Sequence, residues 1–202
     1  YFCEADLAAR DLFETFPLYK KLDFDRQTGL PQGKKTIKIL ILGFGFTGKH
    51  ILRRAIYNGL FDGCEFEAIV VDRCMNDIQG QFKNNYPALF SECRPQNLKI
   101  NFIQDTVRSD SFYELLKEYL ITDSGNTFQI DTIVSALGDD NLNWEVVSDI
   151  RRFLKRCEVK RMPNLSACIA DKGYKLFETG INDTIDDINI FGDYDGIFTE
   201  GK

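Results

Sequence analysis

Apolar residues follow two alternating patterns along this chain, and the alternation predicts an α/β fold. Short apolar runs rich in β-branched residues are typical of strands buried on both faces of a parallel sheet, whereas apolar residues spaced three and four apart indicate helices. From Thr36 onward the two patterns alternate, which favours a doubly wound, Rossmann-like parallel sheet of about six strands. The predicted strands span residues 37–42, 67–72, 98–103, 132–137, 164–169 and 188–191.

The segments between these strands carry the helical signals. One helix should follow the first strand and end near Asn58-Gly59, and another should begin at Ser109, Asp110 or Ser111. Residues 142–157 form a longer amphipathic pattern, and residues 172–179 a short one. Because Tyr86 precedes Pro87, the second half of residues 77–90 is expected to be a loop or a short broken helix.

The first 35 residues form a separate region in this reading. Leu7, Leu12, Phe13 and Phe16 share one helix face, and Pro17 closes that helix. A turn-rich stretch then leads to the first strand. We therefore divide the chain into an N-terminal helical arm and linker (1–35) and a nucleotide-binding domain (36–202). The arm is expected to dock on the domain or on a neighbouring subunit.

Composition narrows the possible partners. The chain has 202 residues and a formal net charge of −6, which argues against nucleic acid or an anionic membrane as partner, because such binding needs clustered Lys and Arg. Six scattered cysteines and one histidine indicate reduced thiols in a cytoplasmic protein and predict no metal site. A first residue Tyr1 in place of Met suggests a piece of a longer protein, such as the cytosolic part of one.

A glycine-rich loop between the first strand and its helix carries the strongest functional signal. In the pattern GxGxxG, the first glycine permits a tight turn, the second lets the backbone approach a pyrophosphate, and the third packs helix against strand. The helix N-terminus then faces the anion. The loop predicts a nucleotide site at Gly43, Phe44, Gly45, Phe46, Thr47 and Gly48.

An acidic residue completes the pattern. Asp72 ends the second strand, 24 residues beyond Gly48, close to the roughly 20 expected for a carboxylate that binds ribose hydroxyls. Such a carboxylate repels a 2′-phosphate and favours NAD(H) over NADP, although the adjacent Arg73 can weaken that preference. The structural alternative is that the glycines serve packing and that Asp72 is a solvated strand end.

Two further loops should reach the same edge of the sheet, because ligands of open parallel sheets gather at the carboxyl ends of the strands. After the third strand, Asp105 and Thr106 either recognise adenine or cap the next helix. After the fourth strand, Leu137, Gly138 and Asp139 are candidate cofactor contacts. Asp139 and the following Asp140 either bind a cation beside the phosphates or cap a helix, and the cap is the commoner arrangement.

With these residues in place, the chain resembles the RCK or KTN domain, the nucleotide-binding regulatory domain of potassium channels and Trk-type transporters. The resemblance spans about residues 36–192 and rests on the three glycines, Asp72, Asp105-Thr106 and the run 133–141. It implies reversible binding of NAD(H) or of ATP, ADP or AMP, homodimers, and conformational signalling to a fused or partner membrane transporter or effector domain. Residues 1–35 have no counterpart in the minimal family domain, and residues 159–202 match loosely.

Catalysis is the weaker expectation. The sequence has no nucleophile elbow and no P-loop, and no separate substrate domain follows the predicted sixth strand. We therefore assign no catalytic residue. The alternative is an NAD-dependent oxidoreductase whose substrate domain is missing or comes from a partner. A third possibility is a scaffold that has lost its ligand.

Overall fold

The computed structural model describes residues 3–33, 36–121, 126–171 and 187–193, and a six-stranded parallel sheet lies at its centre. Its strands are β1 (Thr36–Leu42), β2 (Glu65–Asp72), β3 (Leu98–Gln104), β4 (Thr132–Ser135), β5 (Asn164–Cys168) and β6 (Ile188–Phe191). They are ordered β3-β2-β1-β4-β5-β6, and neighbours pair in parallel. This is the strand order of Rossmann-type folds. The predicted fold class is therefore confirmed.

Helices flank the sheet. They are α1 (Glu4–Thr15), α2 (Phe46–Gly59), α3 (Met75–Asn85), α4 (Asp110–Glu118) and α5 (Asp140–Arg156). Two 3₁₀ turns lie at Leu18–Lys21 and Pro87–Leu89. Two short antiparallel ladders pair Asp23–Phe24 with Pro31–Gln32, and Leu120–Ile121 with Thr127–Phe128. The helix predicted over residues 172–179 lies outside the described residues. Among the described residues, no helix has the length and apolarity needed to cross a membrane.

The strand order sends the helices to opposite faces of the sheet. Connections between parallel strands are right-handed, so the path from β1 through β3 places α2 and α3 on one face. The order reverses between β1 and β4, and α4 and α5 pack on the other face. Each face has its own apolar cluster of buried side chains. The reversal also opens a crevice at the carboxyl ends of β1 and β4.

Helix α1 packs against α2 and reaches β6. Ala8 and Leu12 of α1 belong to the same apolar cluster as Val134 of β4, Ala136 just after β4, and Phe191 of β6. Helices α2 and α3 cover β1, β2 and β3 on this face of the sheet. Helix α1 covers the part of the same face that lies nearer to β6. The arm thus docks on its own chain. The division at residue 35 stays a prediction.

An ion cluster fastens α1 to α2. The Asp6 carboxylate accepts hydrogen bonds from Arg54 Nη2 at 2.7 Å and from Arg53 Nη2 at 2.5 Å. Hydrogen bonding from Arg54 and then Arg53 outweighs the opposing effect of burial, so that the pKa of Asp6 lies well below its usual range. The contact therefore holds a charged carboxylate at physiological pH.

Several element boundaries differ from the sequence prediction by one or two residues, and others agree with it. The fourth strand ends at Ser135 rather than Leu137, because the Leu137 N–H turns away to a side chain, Asn143 Oδ1. Helix α3 buries Met75 and Phe82 and ends at Asn85, and a 3₁₀ turn follows at Pro87–Leu89, as expected for the second half of residues 77–90. Of the three candidate caps of α4, Ser109 is used, its Oγ accepting from Phe112 N at 3.0 Å.

Candidate functional site

The loop after β1 lies against the end of β4, at the point where strand order reverses. Gly43 has a φ of +92°, and a Cβ there would lie 2.4 Å from the Ala136 carbonyl oxygen. Its N–H donates to Val71 O at 2.9 Å. Only glycine combines this backbone conformation with such a close approach. Gly43 therefore lets the chain turn out of β1 between its two neighbours.

Gly48 brings α2 close to the same loop. A Cβ on Gly48 would lie 2.0 Å from the Gly43 carbonyl oxygen, a distance that no side chain tolerates. Gly48 is buried in the first turn of α2. The third glycine of the pattern thus packs the helix against the loop, in the mechanical role that the sequence predicts for it.

Gly45 differs from the other two glycines. Its φ of −67° and ψ of −157° are extended backbone, outside the left-handed region that favours glycine. A Cβ on Gly45 would meet no atom of the described residues within 4 Å. Packing and conformation therefore explain two of the three glycines, while the third leaves open space at the N-terminus of α2.

The other predicted loop residues divide between core and surface. Phe44 is fully buried and packs against Phe82 and Phe102, with ring centroids 5.2 and 5.0 Å away. Phe46 is 69% exposed at the start of α2, and Thr47 is half-buried beside it. The Phe44 side chain belongs to the core, whereas Phe46 and Thr47 remain beside the open space.

Asp72 is held against the glycine loop. Its Oδ2 accepts from Phe44 N at 2.7 Å, and its Oδ1 accepts from Cys74 N at 2.8 Å. Each carboxylate oxygen has a second lone pair, so two further donors can be accepted. The hydrogen bond from Phe44 joins the two halves of the predicted fingerprint directly. Arg73 is exposed next to it.

Asp105 and Thr106 organise the start of α4. Asp105 Oδ1 accepts from Thr106 N at 2.7 Å and from the hydroxyls of Ser109 and Ser111, each at 2.9 Å. Ser109 is the N-cap residue of α4, so Asp105 contacts the cap through the Ser109 hydroxyl. The Asp105 N–H also points toward Asp72 O at 3.3 Å, so the loops after β2 and β3 adjoin.

The acidic residues after β4 likewise have structural partners. Asp139 caps α5 by accepting from Leu142 N at 2.7 Å, which is the capping alternative of the sequence reading. Asp140 accepts from the backbone N–H groups of Ala170 and Asp171 at 3.1 and 3.0 Å. Gly138 turns with a φ of +85°. Within the described ranges, no group of three or more His, Cys, Asp or Glu is arranged to hold a metal ion.

Asn143 is a residue that sequence reasoning missed. It is 2% exposed, and its Oδ1 accepts from Ser135 Oγ at 2.8 Å and from Leu137 N at 2.7 Å. Its Nδ2 donates to Cys168 O at 2.8 Å. The amide therefore ties the loop after β4 to α5 and to the end of β5. An asparagine on the inward, apolar face of the predicted helix was the available signal.

A cavity of about 640 Å³ lies at the opposite, amino end of the strands. Its lining includes Glu67, which pairs with Lys99 at 3.0 Å and Lys38 at 3.2 Å. Burial opposes ionisation of Glu67, but the two lysines prevail and lower its pKa. Because these charges already satisfy one another, the glycine loop remains the stronger candidate site.

Comparisons with protein-family models and with curated proteins find no match for this chain. The site therefore has to be interpreted from its own geometry.

Proposed function

We propose that this chain is a regulatory domain that binds NAD(H), or ATP, ADP or AMP, at the glycine loop. The supporting observation is Gly45. Neither packing nor backbone conformation requires a glycine there, but a phosphate approaching the N-terminus of α2 would need the space that a side chain would fill.

The electrostatics of α2 suit a phosphate. Its first turn reads Phe-Thr-Gly-Lys, so no acidic side chain occupies the position of an anion, and its N-cap glycine has no side chain to satisfy the first N–H groups. These N–H groups and the helix dipole favour a negative charge at that end. The helix has 14 residues, long enough for its dipole to develop.

Asp72 provides the ribose contact in this proposal. Two backbone N–H groups fix its carboxylate beside the loop, and its remaining lone pairs can accept the two hydroxyls of an adenosine ribose. A 2′-phosphate would meet the same negative charge and be disfavoured, so NAD(H) is the preferred dinucleotide. The exposed Arg73 moderates this preference.

Regulation, not turnover, is the proposed role, and it rests on the resemblance to RCK and KTN domains. A nucleotide shifts a conformational equilibrium only as far as it binds one state more tightly than the other. Such a shift would signal nucleotide binding to a fused or partner domain. The homodimer, the cytoplasmic setting and the transporter or effector partner belong to this proposal.

Calorimetric titration with NADH, NADPH, ATP and AMP tests the site. We expect Gly45→Val to weaken the binding of the preferred nucleotide by about 100-fold or more, because two or more charge-assisted hydrogen bonds of about 1.5–3 kcal/mol each would be lost. Gly80→Val is the matched control. Gly80 lies in α3, where a Cβ also meets no described atom within 4 Å, so binding should not change. Equal binding by the Gly45→Val variant would refute the proposed site.

A second variant tests the ribose contact. Asp72→Asn keeps the shape of the side chain but removes its charge and one of the two oxygens that accept backbone N–H groups. NADH should therefore bind about tenfold more weakly, and the preference for NADH over NADPH should narrow. Failure of the wild-type chain to bind any of the four nucleotides would overturn the proposal. Oxidation of bound NADH by a panel of carbonyl metabolites would favour the oxidoreductase alternative.

A further inference from the structure

A thiol, an imidazole and a carboxylate meet where α1 crosses α2. Cys3 Sγ lies 3.5 Å from His50 Nε2, and His50 Nδ1 lies 3.4 Å from Asp6 Oδ1. A nucleophile beside a base, with a third group that orients the base, is the arrangement that activates cysteine in many proteins. The long chain separation between Cys3 and His50 hid this cluster from the sequence analysis.

Charged side chains and the N-terminus of a helix lie near Cys3. Glu4 and Asp6, in the first turn of α1, each carry a negative charge, and Arg53 and Arg54, both bonded to Asp6, carry two positive charges. Cys3 is also the N-cap residue of the 12-residue helix α1. The positive end of a helix dipole lies at that terminus.

The other described thiols lack this environment. His50 is the only histidine of the chain, so no other cysteine can have an imidazole partner. Cys74 and Cys93 are exposed, whereas Cys3 and His50 are half-buried. Cys168 packs against the apolar cluster that includes residues of α1, and burial, with a smaller effect of Asp140, raises its pKa to about 12. Cys74 and Cys93 therefore serve as exposed reference thiols for reactivity, and Cys168 serves as the reference for burial.

We infer that Cys3 is a reactive thiol that exchanges with small anionic disulfides. His50 takes the proton from Sγ, and the thiolate attacks one sulfur of the disulfide, forming a new S–S bond while the old one breaks. The departing thiolate recovers the proton from His50. The products are a mixed disulfide on Cys3 and a free small thiol, and no other oxidant is consumed. Arg53 and Arg54 can donate hydrogen bonds to the carboxylates of such a disulfide.

The test measures the labelling rate of each cysteine by dithiobis-nitrobenzoate, an anionic aromatic disulfide, with peptide mass spectrometry to locate the label. An ordinary thiol is only a few per cent ionised at neutral pH, so full ionisation can raise its rate by at most roughly 30-fold. We expect Cys3 to react about tenfold faster than Cys74 and Cys93 despite its lower exposure. His50→Gln should remove this advantage and leave Cys74 and Cys93 unchanged.

Cys168 reports whether α1 remains docked in each variant. Cys168 packs against the apolar cluster that contains Ala8 and Leu12 of α1. Protection of Cys168 therefore indicates intact packing. The inference is overturned if wild-type Cys3 reacts no faster than Cys74 and Cys93, or if His50→Gln leaves its rate unchanged while Cys168 stays protected. If His50→Gln exposes Cys168, the wild-type comparison decides.

Discussion

Replacement of Asn143 by alanine should remove much of the stability of this domain. The amide makes three hydrogen bonds that join the end of β4, the loop after it and the end of β5. Alanine leaves Ser135 Oγ, Leu137 N and Cys168 O without that partner. An unsatisfied buried polar group costs about 1–3 kcal/mol, and a water molecule can replace part of the loss at the half-buried Leu137.

We therefore expect a loss of about 4 kcal/mol in the free energy of unfolding, from a total of about 5–15 kcal/mol for a typical domain. For a chain of this size, the midpoint of thermal unfolding should fall by roughly 8–16 °C. Urea titration followed by circular dichroism measures the free energy, and thermal melting measures the midpoint. Nucleotide binding should weaken as well, since the amide positions the loop that contains Gly138.

Asn141→Ala provides the matched control. Asn141 is exposed and lies two residues earlier in α5, so the same substitution should leave stability unchanged or raise it by a few tenths of a kcal/mol through helix propensity. A loss below about 1 kcal/mol for Asn143→Ala would refute the reasoning, because the three hydrogen bonds would then contribute no more than one ordinary contact.

Three other predictions concern stability. Gly48→Ala should destabilise the fold by several kcal/mol in urea titration, because its Cβ would lie 2.0 Å from the backbone oxygen of Gly43 and neither backbone can give way. A change below about 1 kcal/mol would contradict this packing. The lowered pKa of Asp6, due first to Arg54, stabilises the folded state above the unfolded-state pKa of about 4 and is lost as pH falls below it. Asp6→Asn should therefore be less stable than wild type at pH 7, with the difference shrinking in acid; a constant difference would refute this. Because burial raises the pKa of Cys168 to about 12, unfolding should become easier above about pH 9, and Cys168→Ala should flatten that alkaline decline in thermal melting.

The sheet could be predicted from sequence because its central strands, β1, β2 and β4, are buried on both faces. Continuous apolar runs of this kind are typical of strands in a parallel sheet. The observed strands begin and end within two residues of the predicted bounds. The packing roles of Gly43 and Gly48 could also be predicted, because close backbone contact at a strand-to-helix turn is a local requirement. Local sequence patterns were therefore sufficient to predict the sheet and the glycine turn between β1 and α2.

Long-range partners could not be read in the same way. Helical spacing identified the buried face of α1 but not its packing against α2 and β6, since periodicity does not name the surface that covers a face. The three partners of Asn143 and the meeting of Cys3 with His50 depend on how distant segments are brought together. At Asp105 and Asp139 the sequence offered two roles each. Asp139 caps α5, whereas Asp105 binds the hydroxyl of Ser109, which caps α4.

The docking of α1 also has a consequence for how the chain acquires its structure. During synthesis, this helix leaves the ribosome before the sheet, yet the strand it reaches, β6, is the last of the six strands to appear. Because closing such a long loop is slow, the α2 face of the sheet stays partly open until β6 has been made. A chain shortened to start at Thr36 would keep that surface uncovered permanently and should associate with itself or bind chaperones.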